Sequence, residues 1–200
     1  MEEQLVNLST KEKILEVATY LFSQKGHSAT SVRDISKKAD VNVASVNYHF
    51  KSKENLLFEV LKKGCSILEH DILNIDKETQ DNAEEFFAEI FRLLLRDKVS
   101  LRNNFRMLLS EEIVRLENYG LSNNIYGPPG GDLMAEVIQK SVGKKLSLEE
   151  LQWVVQSLFS IIVHQSIILA SPICAKEVMY DEETVISRLK KTTALFLKSL

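Results

Sequence analysis

Residues 30–53, TSVRDISKKADVNVASVNYHFKSK, spell two short helices joined by a tight turn and closed by an aromatic-rich end. Thr30 and Ser31 offer an N-cap, with Asp34 three residues after Ser31. Val32, Ile35 and Ala39 are spaced to face inward. The turn falls near Asp40 and Val41, and Asn42 caps the next helix. There Val43, Val46 and Phe50 line one side, leaving Ala44, Ser45, Asn47 and Tyr48 outward. Small and polar side chains on an outward face let a helix approach base edges closely. The pattern is a helix-turn-helix, whose second helix enters the DNA major groove.

Upstream, Ser9 and Glu12 have capping-box spacing, and Ile14, Val17, Ala18, Leu21 and Phe22 form one apolar stripe ended by Gly26. Downstream, Ser52 caps a helix carrying Leu56, Leu57, Val60, Leu61, Gly64, Cys65 and Leu68. The stretches TSVRDIS, ADVNVASVNYHF and KSKENLL, with Phe22, Gly26 and Thr30 before them, resemble the DNA-binding head of the tetracycline-repressor (TetR) family over about residues 10–60. Asp40 stands where that family often has glycine, and Val43-Ala44 where many relatives carry a polar residue and glycine. Asp tolerates left-handed geometry, so the turn survives.

The composition fits. Seven glycines and three prolines in 200 residues, with long periodic apolar stretches, predict an all-α chain of about nine helices. Eight Lys and Arg stand against six Asp and Glu up to Lys53; beyond it 17 basic residues face 22 acidic ones. A mildly basic head on an acidic body suits a protein that touches DNA with one end. The start, MEEQLVNLST, is polar and acidic without a secretory signal, and no apolar run reaches the length of a bilayer span. Cys65 and Cys174 sit among apolar neighbours and read as reduced, buried thiols. The expected location is the cytoplasm, away from membranes.

The expected domains are 1–53, a helix-turn-helix DNA-binding domain, and 54–200, a helical ligand-binding and dimerisation domain. In the body, His70-Asp71 reads as a solvated helix end, since adjacent helical residues diverge too far to share a metal. After polar NIDKETQDN, Asn82 caps a helix with Phe86, Phe87, Ile90, Phe91 and Leu94 inside. Another is expected from about Ser100 to Leu116. In it Arg106, Glu111 and Glu112 mark either a solvated face or a carboxylate aimed into a pocket. Residues 118–132 concentrate glycine and proline and predict a surface loop, a plain connection or a ligand gate. Helices follow over 133–142, from Ser147 with Glu150 as a capping box to Pro172, and from Asp181 onward. Gln152, Gln156, Ser160 and His164 trace one polar line touching solvent, a cavity or a subunit contact. Val185, Ile186, Leu189, Thr193, Phe196 and Leu197 form a stripe on the last helix. The surplus apolar surface of the last two helices implies a four-helix dimer core.

Together these features, and the resemblance, imply a homodimeric transcription regulator, a repressor that a small molecule releases from a palindromic double-stranded operator. The motif match assigns base reading to Asn42, Val43, Ala44, Ser45 and Asn47. It assigns phosphate contacts to Thr30, Ser31, Arg33, Tyr48, His49 and Lys53, with Lys51 weaker. His49 alternatively packs and caps the end of the reading helix. Phe105, Glu112, Met134, Phe159 and His164 are the candidate effector-binding residues, among aromatic and aliphatic walls. The body is faintly similar to CecR-like members through NIYGPPGGDLM and HQS, which implies no effector. No catalytic set, metal-ligand spacing or cofactor motif stands out, so no enzyme is expected. A helical protein–protein adaptor and an activator with the same head are the competing readings.

Overall fold

Ser9 opens the first helix, α1 (Thr10–Lys25): its hydroxyl accepts from Glu12 N, while the Glu12 carboxylate accepts from Ser9 N at 2.8 Å. The computed structural model describes residues 8–108, 125–172 and 181–200, and every regular element among them is a helix. Their contacts divide into two units, one of residues 8–64 and 103–108, the other of 65–102, 125–172 and 181–200.

In the first unit, α1 meets α2 (Val32–Lys38) and α3 (Val43–Phe50), followed by the start of α4 (Lys53–Leu73). The stripe expected on α1 is buried entire, with Ile14, Val17, Ala18 and Phe22 at 0% exposure. Ile35 and Ala39 of α2, Val46 and Phe50 of α3, and Leu56, Leu57, Val60 and Leu61 of α4 complete the core. Burying each large side chain contributes about 1.5–3 kcal/mol against the cost of ordering the chain. Met107, from α7 (Lys98–Leu108), joins the same core.

The second unit contains α5 (Lys77–Gln80), α6 (Ala83–Leu95), α8 (Gly131–Val142), α9 (Leu148–Ala170) and α10 (Glu182–Lys198). Phe86, Phe87, Ile90 and Phe91 make α6 its centre, packed against α8, α9 and α10. Glu85 accepts from Arg92 Nη1 at 2.9 Å and pairs with Lys190 of α10. Gly130, before α8, adopts φ +72°, and a Cβ there would meet Ile72 Cγ2 at 2.7 Å, so no other residue fits.

Several boundaries depart from the periodicity. The polar stretch NIDKETQDN, expected only to precede the next helix, contains α5, capped by Asp76, giving ten helices among the described residues. Leu95 rather than Leu94 is buried on α6. Helix α7 starts two residues earlier than Ser100, because the Asp97 carboxylate accepts from Val99 N and Ser100 N. Its continuation to Leu116, Glu111, Glu112, loop residues 118–124 and Cys174 lie outside the described residues. Helix α9 is long and apolar enough to cross a bilayer by length and composition alone; Leu151, Val154, Val155, Leu158 and Ile162 are buried within the unit, while Leu148 and Trp153 are exposed.

Candidate nucleic-acid interface

The reading helix is fixed from both ends. Asn42 Oδ1 accepts from Ser45 N at 2.6 Å and from the Ser45 hydroxyl at 2.9 Å. Before it, Asp40 takes φ +52°, the left-handed turn that its side chain tolerates, and Val41 N donates to Ser36 O. At the far end Lys51 adopts φ +64° while Ser52 N donates to Phe50 O at 2.7 Å, a strained three-residue turn. The chain then enters α4 under the Ser52 hydroxyl, which accepts from Asn55 N.

Between these ends Val46 and Phe50 anchor α3, while Ala44, Asn47 and Tyr48 are exposed, Tyr48 at 81%. Ser45 is half-buried. Val43 departs from its expected inward position: it is 38% exposed and lies outside the core cluster. Periodicity puts it on the stripe of Val46 and Phe50, but as the first helical residue it extends past the neighbours that bury those two. His49 is half-buried, edge-on to Tyr48 at 5.2 Å and tilted against Phe50 at 6.3 Å.

The phosphate candidates divide by exposure. Ser31 and Arg33 are exposed, and the Ser31 hydroxyl donates to Asp34 Oδ2 at 2.7 Å in a capping box. Asp34 is thereby held below the usual carboxylate range, chiefly by the Ser31 backbone N–H and then by its hydroxyl. Thr30 is 1% exposed, and its hydroxyl donates to Gly26 O at 2.7 Å, so it lies behind the surface. Lys53 Nζ donates to His27 O at 2.9 Å and Thr30 O at 3.0 Å, tying the start of α4 to the loop before α2. An ammonium has three donors, so this leaves one for a phosphate. Lys37 and Lys38 close α2, with Lys38 Nζ 4.8 Å from the Tyr20 ring centre.

One supporting residue was not legible as such. Arg106 of α7 donates to Ser23 O at 3.2 Å and Phe22 O at 3.4 Å, satisfying carbonyls at the C-terminal end of α1. Its partners lie more than 80 residues away in the chain, and the only local signal was a charge beside apolar positions.

The effector candidates are dispersed. Met134 is fully buried on α8, Phe159 half-buried and His164 exposed on α9. Phe105 is half-buried in the first unit, and Glu112 lies outside the described residues. A recess of about 640 Å³ in the second unit, lined by Asn82, Glu84, Ser141, Lys144, Leu197 and Lys198 among others, includes none of the five. The polar line on α9 partly holds the preceding loop: Gln152 Nε2 donates to Ile125 O at 2.7 Å and Gln156 Nε2 to Tyr126 O at 3.3 Å. On the same helix Trp153 is 58% exposed and stacks on Phe196 of α10 at 5.0 Å, with Leu195 beside it 70% exposed. Among the described residues no group of three or more His, Cys, Asp or Glu could hold a metal ion.

Comparison with known proteins agrees with this geometry. Residues 14–60 match the model of the bacterial regulatory proteins, tetR family. The chain is 42% identical over 107 residues to the probable HTH-type transcriptional regulator YttP of Bacillus subtilis (strain 168), covering 52% of this chain and 48% of that protein. It is 29% identical over 119 residues to the HTH-type transcriptional regulator QacR of Staphylococcus aureus (strain Mu50 / ATCC 700699), covering 59% and 60%. The chain thus spans about half the length of the relatives it matches. Its fold matches that of FadR from Thermus thermophilus, a TetR-family transcriptional repressor in complex with lauroyl-CoA, with a TM-score of 0.60, 20% identity, and coverage of 94% of this chain and 93% of that one.

Proposed function

We propose that the chain, whose residues 14–60 match the tetR family of bacterial regulatory proteins, is a member of that family and a homodimeric DNA-binding transcription regulator, a repressor released from its operator by a small molecule. One observation carries this reading: α3 is anchored through Val46 and Phe50 while Val43, Ala44, Asn47 and Tyr48 stand free of the core on one short, capped helix. That is the arrangement a groove-reading helix needs, rigid behind and small in front.

Asn42, Val43, Ala44, Ser45 and Asn47 face base edges. Ser31, Arg33, Tyr48, His49 and the third donor of Lys53 hold phosphates, and Thr30 places Ser31 from beneath the surface. Two copies join through the Trp153, Leu195 and Phe196 face of α9 and α10, whose exposed apolar area is of the kind that marks an interface. Two heads then read two inverted half-sites, and the protein works in the cytoplasm, where its DNA is. The effector binds in the second unit, where α6, α8 and α9 supply aromatic and aliphatic walls. FadR in complex with lauroyl-CoA shares the fold and offers acyl thioesters as a first class to screen. The ligand acts through a coupling of about 1–3 kcal/mol between sites.

Selection from a random duplex pool with the full-length protein tests the reading. Enrichment of two inverted half-sites is expected; a pool that stays random after repeated rounds contradicts it.

A further inference from the structure

The first turn of α3 carries an unusual hydrogen-bond economy for a helix that reads bases. Its polar side chains are Asn42 and Ser45, and part of their capacity is used on each other: Asn42 Oδ1 accepts both the Ser45 N–H and the Ser45 hydroxyl proton, which leaves the Asn42 amide its donors. The hydroxyl is left with acceptor capacity alone. Between these two residues stand Val43 and Ala44, both exposed, and no charged side chain occurs from Val41 to Tyr48. Helix-turn-helix proteins contact base edges with the N-terminal residues of the second helix. Besides the Asn42 amide donors and the Ser45 acceptor, the chemistry this chain presents there is that of the exposed Val43 and Ala44, which is apolar.

In the major groove the one apolar group on a base edge is the 5-methyl of thymine. We propose that Val43 and Ala44 specify thymine, their methyl groups covering at least one thymine 5-methyl in each half-site. This rests on the operator reading above. A β-branched side chain suits the task, because its χ1 is already restricted and little rotamer freedom is lost on contact. Ala44 keeps the helix close enough for that contact. Asn47, one turn on and exposed, is of the type that pairs with adenine N6 and N7, so the preferred step is A·T-rich.

The test uses full-length protein and the duplex obtained by selection. Each thymine of a half-site is replaced in turn by deoxyuridine, which removes only the 5-methyl group. Equilibrium titration then compares wild type with Val43→Ser and Ala44→Ser. Val43 lies outside the core, so its replacement leaves the fold intact. At one or two thymines per half-site the wild type loses roughly four-fold in affinity per methyl. The matching variant shows no such loss, because its contact is already gone. The inference is overturned if the selected half-site lacks thymine, if uridine is tolerated everywhere, or if the penalty persists unchanged in both variants. Failure to select any duplex overturns the operator reading itself, and this inference with it.

Discussion

The ammonium of Lys53 lies 3.0 Å from the carbonyl oxygen of Thr30, and a second bond of 2.9 Å reaches His27 O. Two residues that the motif assigns to phosphates therefore hold each other. Charged hydrogen bonds of this kind contribute more than neutral ones, and Lys53 is half-buried. Lys53→Met is expected to lower stability by about 1–2 kcal/mol, seen as a lower urea midpoint at unchanged slope. It also weakens operator binding. Full stability in the variant would show that the two carbonyls find other partners at no cost.

Positive φ at Lys51 is the second device that shapes the end of the reading helix. Lysine at φ +64° and ψ −46° is strained, and glycine is not. Lys51→Gly is expected to raise stability by up to about 1 kcal/mol, less the entropy regained by the unfolded chain. Asp40→Val, which places a β-branched residue at φ +52°, is expected to cost about 1–2 kcal/mol. Paired urea titrations compare the two; a Lys51→Gly destabilised by about 1 kcal/mol, the full entropic cost of glycine, would mean that the turn carries no strain.

Acid should loosen the head through its capping boxes. Ser9 holds Glu12, chiefly by its hydroxyl, and Ser31 holds Asp34, chiefly by its backbone N–H, both below the usual carboxylate range. A depressed folded pKa means that the unfolded chain binds more protons, so the stabilisation is complete above the unfolded pKa and declines as pH falls below about 4. Asp34→Asn should flatten part of the stability-versus-pH curve between pH 5 and 2. A curve of the variant parallel to wild type would remove Asp34 from that account.

Leu195 and Trp153 mark the face where a second copy is proposed to pack. Leu195→Glu buries a charge in that contact and is expected to raise the dimer dissociation constant about ten- to thirty-fold or more. Sedimentation at graded concentration reads this directly. An unchanged dimer would move the interface elsewhere on the chain.

The sequence made the helix starts legible, those of the head above all, because their signals are local. Ser9 with Glu12, Ser31 with Asp34, Asn42 with Ser45, and Ser147 with Glu150 are all pairs three residues apart, and the structure closes each of them. What escaped depends on distance along the chain or on where packing stops. Arg106 reaches carbonyls of Phe22 and Ser23, and no periodicity encodes that. Val43 shares a stripe with Val46 but not its burial, since a period assigns a face and not the end of the neighbour that covers it. Gln80 falls in a polar stretch of the sequence, yet it is buried with its amide donating to Ile75 O at 2.6 Å. For the effector candidates the sequence offers side-chain type alone, and type does not encode burial: Met134 is fully buried, Phe159 half-buried and His164 exposed.

The most direct measurement is the salt dependence of binding to the selected duplex by full-length protein. Each phosphate neutralised adds about 0.9 to the slope of log Kd against log salt. With Arg33 and Lys53 engaged on both heads, the slope should be about 3 to 4, and Arg33→Ala should lower it by about 2. A slope near zero, or one that Arg33→Ala leaves untouched, would contradict the placement of DNA across this face of the head.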